Sequence, residues 1–319
     1  MEAMGNLKFE EESIMGRNDV YMHGQILGTH SFLLKDGFLE PDEYSEIKEK
    51  YFLPGGETGT AATVLDSFGV NVKIAGTHIG TAVAPLLKEF YKDKTVDLSS
   101  LYFDSSYEGL MDYVVIAGIV RSPMGMFQAL YEPGAVKRWS MPKEEDVIAC
   151  NVAAIDPFFM EETQATARLC KKYKKPYVTI DCRHDTYLHK NSAINVISKE
   201  CTSHYFENGI NMDDIYQLMI DNTDGLVIIT SGEKEMIYGR KGQPMKKMKP
   251  FTVDVKSTLG AGDTFKAGCI YGLLNNMSDD ELVRFASACS AIAISRFPLP
   301  LNPPTLDEVN SLLENTNNG

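Results

Sequence analysis

In Ser257-Thr258-Leu259-Gly260-Ala261-Gly262-Asp263-Thr264-Phe265 two glycines flank an alanine directly before an aspartate, behind the run 251–255 and ahead of a segment of helical period. Glycines let a backbone approach a ligand closely, and the first N–H groups of a helix have no partner inside it. Such a turn is an anion hole, suited to the phosphoryl group of a nucleotide. Asp263, in the first turn, is then placed to take a proton from a hydroxyl in line with that group. The same spacing also serves a plain glycine turn whose aspartate only caps a helix.

Other chemistry-bearing residues are more dispersed. Gly55, Gly56, Glu57 and Thr60 sit in a second glycine-rich run, and Thr230 and Gly232 follow the apolar run 226–231. Asp181 ends another apolar run, where ligands of open α/β sheets gather. Arg121, Arg138 and Arg183 could each grip a phosphate, although single arginines near strand ends are usually solvated or paired. His184 and His189 read as exposed, and the basic run 246–249 as a solvated loop or hairpin edge. The six histidines show no short metal spacing, so no metal ligands are expected from the chain, and the six cysteines form no C-x-x-C pair and read as reduced, mostly buried thiols. G-x-x-x-x-G-K-[ST] is absent, and the third glycine of a G-x-G-x-x-G fingerprint would fall on Phe265.

These residues need elements to hold them. Strand-like runs at 72–75, 113–117, 147–150, 177–181, 193–197 and 226–231 alternate with helical periods at 83–91, 161–173 and 212–221. The alternation predicts βαβ crossovers, hence an α/β fold with a mainly parallel sheet and helices on both faces. Helices are expected at 262–275, 278–295 and 305–314, with Ser278/Glu281 and Thr305/Glu308 as capping boxes. Segment 31–54, acidic and aromatic, follows a strand at 20–27 and reads as a functional insertion or lid. The 319 residues are 44% hydrophobic with a formal charge of −13, which repels phosphate backbones and anionic lipid surfaces. No apolar stretch approaches the roughly 20 residues of a membrane helix. No nucleic-acid or membrane partner is expected, and the acidic, apolar-poor start suggests a cytoplasmic address.

The 257–265 segment resembles the C-terminal signature of the ribokinase-like (PfkB) carbohydrate kinases, D-T-x-G-A-G-D-x-F. The run from Gly55 and Gly56 through Thr60 to Ala62 is similar to that family's first signature, G-G-x-x-x-N-x-A, and Thr230-Ser231-Gly232 to its nucleotide-contacting turn. Val196 to Glu200, with Ser198, Lys199 and Glu200, resembles the V-S-K-D/E segment of ketohexokinase-like and fructokinase-like members. The resemblance implies a single three-layer kinase domain over 18–314, with a small β lid built from insertions at about 31–54 and 101–139. It implies Asp263 as catalytic base and Gly260, Ala261 and Gly262 as anion hole. It implies ATP beside Ser198, Glu200, Thr230 and Gly232, with Mg²⁺ carried by the nucleotide, and a homodimer through the lid.

Departures from the pattern bear on the acceptor. The family's sugar-holding Asp of the first strand falls on Thr29, its Asn on Thr60, and the residue after the glycine pair is Glu57; separately, the acidic residue opening the second signature is Ser257, which bears on the monovalent-cation site that some relatives build beside it. The expected activity is phosphorylation of a hydroxymethyl group of a sugar or sugar-like polyol, with Thr29, Gly55, Gly56, Glu57, Thr60 and Asp263 around the acceptor. A nucleoside or phosphosugar kinase of the same fold, and a non-catalytic sugar- or nucleotide-binding homologue, are the alternatives.

Overall fold

The computed structural model describes residues 18–38, 40–117, 123–127, 136–198, 201–203 and 209–315. In chain order the strands are β1 (Val20–Gly24), β2 (Leu27–Leu34), β3 (Ile47–Gly55), β4 (Val72–Gly76), β5 (His78–Ile79), β6 (Val96–Asp97), β7 (Tyr102–Phe103), β8 (Met111–Ile116), β9 (Pro123–Phe127), β10 (Val152–Ile155), β11 (Tyr177–Ile180), β12 (Ile194–Ile197), β13 (Leu226–Ile229), β14 (Met236–Gly239) and β15 (Lys246–Met248). Nine of them form one sheet in the order β15-β14-β13-β12-β11-β10-β1-β4-β6, parallel from β13 to β6 and antiparallel only at the β14 and β15 edge. The central strands are apolar throughout because helices cover both faces: every residue of β10, β11, β12 and β13 is buried. Helices Gly56–Ser67, Ala261–Leu274 and Asp279–Ile294 pack on one side, where Leu65, Ile270 and Phe285 join Met22, Ile74 and Ile228 in the largest apolar cluster. Helix Glu161–Lys172 closes the other side over Tyr21, Ala153 and Tyr177.

A second sheet, β3-β2-β8-β9, stands apart from the first. β2 pairs antiparallel with β3 and parallel with β8, putting Thr29 opposite Leu53 on one side and Asp112 on the other. Side chains alternate across such a sheet. Leu27, Thr29 and Ser31 therefore share one face, which lines a cavity. His30 lies on the other face, its ring stacked on Phe52 at 4.2 Å and on Tyr113 at 5.0 Å. The β2–β3 register slips once, between Leu33 and Leu34, beyond the cavity-lining stretch.

Several expectations are revised by these elements. The expected strand at 147–150 is the helix Glu144–Ala149, whose first turn holds Glu144, Glu145 and Asp146 and so suits the positive end of a helix; the strand follows at Val152–Ile155. The run 113–117 belongs to β8 in the small sheet, not to a crossover unit. The run 20–27 is two strands, because the Gln25 and Ile26 N–H groups leave the ladder for the Asp156 carboxylate and the Thr77 hydroxyl. Residues 251–255 form no ladder. His189 is buried, bonded to the Met219 carbonyl and the Asn195 amide. All six cysteines are free and five are buried. No helix of the described residues is long and apolar enough to cross a membrane.

Helix Asp279–Ile294 carries the capping box in full: the Ser278 hydroxyl accepts from the Glu281 N–H, and the Glu281 carboxylate accepts from the Ser278 N–H at 2.8 Å. Thr305 and Glu308 repeat it, with the Thr305 N–H at 3.0 Å from the carboxylate. Replacing Ser278 with Ala is expected to lower unfolding free energy by about 1 kcal/mol. Urea denaturation checks this, and an unchanged midpoint would contradict it.

Candidate functional site

A cavity of ≈ 470 Å³ lies between the small sheet and the N-terminus of helix Ala261–Leu274. Thr29, Gly55, Gly56, Glu57, Thr60, Ser257, Gly260 and Asp263 all line it, so residues more than two hundred positions apart meet. Gly55 is required by a close approach: a Cβ there would fall 1.8 Å from the Thr29 hydroxyl oxygen. Gly260 has φ +78° and caps the helix in the left-handed region that glycine adopts without strain.

That cap leaves donors free. No side chain caps the helix, and the Ala261 N–H bonds back to the Thr258 carbonyl at 3.2 Å, while the Gly262 and Asp263 N–H groups have no acceptor among the described residues. Gly262 is exposed, with nothing within 4 Å of where its Cβ would be. This is an open nest of two N–H donors at the positive end of a helix, the arrangement that binds an anionic oxygen.

Below it lies a buried ion pair, Asp156 with Lys266, both completely inaccessible to water. Asp156 follows β10 and also accepts from the Thr58 hydroxyl and the Gln25 N–H, each at 2.8 Å. Burial works against the Lys266 charge, but Asp156, Glu57 and Asp263 outweigh it and hold the ammonium pKa above its ordinary value. The carboxylates outnumber their one cation. Burial, followed by the charges of Asp156 and Asp181, pushes Asp263 up to about 6, against the pull of Lys266 and the Thr60 hydroxyl. Burial first, and then Asp156 and Asp263, raise Glu57 well above the usual carboxylate range. A carboxyl with an apparent pKa near neutrality, beside an anion nest and inside a cavity, can serve as a general base.

The remaining predicted residues sit apart from the cavity, at the carboxyl ends of neighbouring strands. Thr230 follows β13 and its N–H reaches the Ile197 carbonyl at 2.9 Å; Gly232 turns the chain with φ +62°. Ser198 follows β12, where its N–H and hydroxyl both donate to Asp181. Asp181 itself holds a positive φ of 47°. Glu200, Lys199 and Arg121 lie outside the described residues. Arg138 pairs with Asp104, and Arg183 with Asp185 at 3.2 Å on the surface. Among the described residues no group of three or more His, Cys, Asp or Glu could hold a metal ion.

Sequence reasoning passed over Asp156, Lys266 and Asp112. Lys266 had a signal, being the one charge in the otherwise apolar or small run 264–274, three residues after Asp263. Asp156 directly follows β10, a strand that the apolar pattern places a few residues too early, at 147–150. Asp112 had none, since its role depends on which strand lies beside β2.

The large parallel sheet, the helix layers and the separate small sheet define the ribokinase-like fold: an Arabidopsis thaliana ribokinase solved with ribose and ATP superposes with a TM-score of 0.74 at 17% identity, over 94% of this chain and 99% of that one. An Escherichia coli protein described as a ribokinase II, solved with ATP and Mg²⁺, gives 0.74 at 14% identity, over 93% of this chain and 99% of its own. The pfkB family carbohydrate kinase model matches residues 210–303, which span the anion nest and Asp263. A 5-dehydro-2-deoxygluconokinase of Listeria innocua is 21% identical over 294 residues, 91% of this chain and 84% of that protein. Over residues 210–303, less than a third of its length, the chain is similar to the pfkB family of carbohydrate kinases, and the proteins it resembles are named kinases.

Removing one partner of a buried ion pair leaves the other charge stranded. Lys266→Met is expected to cost about 3–5 kcal/mol of stability, and Lys266→Met with Asp156→Asn to recover part of it. Chemical denaturation of the three proteins reads this directly. A single variant as stable as the parent would show that the pair does not carry the site.

Proposed function

We propose that the protein transfers the γ-phosphoryl group of ATP to a hydroxymethyl group of a sugar or sugar-like polyol, with Asp263 as the general base. The observation that carries this reading is the single turn holding both halves of the chemistry: Asp263 lines the cavity, and the free Gly262 and Asp263 N–H groups open beside it. A hydroxyl bound in the cavity loses its proton to Asp263 as it attacks, and the N–H pair with the helix end stabilises charge on the phosphoryl oxygens. Gly260 and Ala261 shape this turn. Thr230, Gly232, Ser198 and Glu200 are the proposed nucleotide side, at the carboxyl ends of β12 and β13, where such sheets bind ligands. Mg²⁺ bound with ATP supplies positive charge to the triphosphate. The described cations near the cavity are already paired: Lys266 with Asp156 and Arg296 with Glu308. A cytoplasmic address, where ATP is supplied, belongs to the same reading.

The small sheet serves in it as a lid over the acceptor, one that excludes water competing for the phosphoryl group. Its outer face supports the homodimer, since Tyr113 and Met126 are 42% and 63% exposed beside the His30 stack. Sedimentation at micromolar concentration is expected to read twice the monomer mass, and Met126→Glu to shift it to the monomer; a monomeric parent protein removes this part.

Asp263→Asn is expected to keep ATP binding and lower kcat by roughly 10²–10⁴-fold. Because the base works only when deprotonated and its pKa lies at about 6, kcat/KM for the acceptor should fall as pH drops through that value. The profile of the parent protein and calorimetric ATP binding by the variant check both halves. A variant that keeps half of the parental kcat would falsify the assignment.

A further inference from the structure

Two carboxylate oxygens in the cavity are unsatisfied. Oε2 of Glu57 and Oδ1 of Asp112 are both shielded from water, and neither has a hydrogen-bond partner among the described residues. Both residues line the same cavity. A buried acceptor left unpaired costs free energy that a ligand donor can return. Asp112 stands directly opposite Thr29 across the β2–β8 ladder, with the Thr29 hydroxyl beside its carboxyl. The carboxylate that Thr29 lacks is thus present one strand away, approaching the cavity from the small sheet. Between these polar points the walls are apolar, with Leu27, Leu53, Leu110 and Phe158. The guanidinium that lines the cavity, Arg296, is engaged by Glu308 and by the Pro303 carbonyl at 3.2 Å.

We propose that Asp112 is a specificity-determining residue for the acceptor: with Glu57 it receives hydrogen bonds from two separate donor groups, so the pocket selects a neutral or amino-substituted polyhydroxy compound over a sugar acid. The inference rests on the kinase reading above and names the acceptor class of that site. It departs from the substrate in the name of the Listeria relative, since a gluconate would bring the acceptor oxygens of a carboxylate, not donors, to the unpartnered oxygens of Glu57 and Asp112. A site built around particular donors rejects a ligand that leaves its buried groups unpaired or opposed, by up to roughly 10⁴-fold.

The test measures ADP release with fructose, 1-amino-1-deoxyfructose and gluconate, for the parent protein and for Asp112→Asn, with thermal melting to report folding. The parent should show kcat/KM at least about tenfold higher for fructose or its amino derivative than for gluconate. Asp112→Asn should raise KM for the preferred acceptor by at least about tenfold, with kcat within about threefold and KM for ATP unchanged. Asp112→Glu, which keeps the charge, should recover part of the loss, and it replaces the amide variant in the comparison if that one does not fold. A parent protein that prefers gluconate overturns the inference, as does an acceptor KM that does not move in the variants. A working acceptor with an unmoved KM removes this inference alone. If none of the three compounds raises ADP release above background, the inference falls together with the kinase reading.

Discussion

The ion pair between Asp156 and Lys266 is the constraint on which the rest of the site depends. Two charges wholly removed from water are tolerable only while each keeps its partner and its remaining hydrogen bonds. Asp156 collects the Gln25 N–H after β1, the Thr58 hydroxyl from the helix that follows the glycine pair, and the Lys266 ammonium from the helix that begins at the anion nest. Three segments distant in sequence are thereby fixed to the end of β10. Lys266 follows Asp263 by three residues, one turn along the same helix face. The floor of the cavity and the nest at its edge therefore cannot shift independently.

The same pair sets the electrostatics. One ammonium serves Asp156 directly and acts at longer range on Glu57 and Asp263. That is enough to restrain their rise but not to cancel burial, so Asp263 sits near the pH at which a base can both take and release a proton. An apolar residue in place of Lys266 would remove the positive charge that pulls it down.

What the sequence made legible was the part written locally. The glycine turn with its aspartate, the two capping boxes and the apolar runs of β4, β11, β12 and β13 each follow from a few adjacent residues. The helices the sequence named, at 83–91, 161–173, 212–221, 262–275, 278–295 and 305–314, likewise fall within a residue or two of those observed. What it concealed was set by neighbours across the sheets. Residues 147–150 are as apolar as a strand, but the acidic turn before them makes a helix there and moves β10 onward to Val152. The loss of a carboxylate at Thr29 was plain in the chain; its counterpart at Asp112 was not, because no pattern in residues 101–117 states that β8 lies beside β2. Lys266 would have read as a surface residue on any helix less apolar than its own.

The two faces of the small sheet are recorded on alternate residues of the same strands. Along β2, Leu27, Thr29 and Ser31 turn toward the cavity, while His30 stacks with Phe52 and Tyr113 on the opposite side. A slide of one residue in the pairing would exchange the two sets, putting imidazole and phenol rings inside and the carboxylate of Asp112 outside. The irregularity between Leu33 and Leu34 comes only after Ser31, so the ribbon bends toward its tip without disturbing the pairing that matters. An insertion or deletion beyond that point can reshape the rim and leave the inner chemistry in phase, whereas a single residue gained or lost before it inverts the sheet. A change of length that spares this site is therefore confined to the tip, and the stretch from Leu27 to Ser31 can change its side chains but not its count.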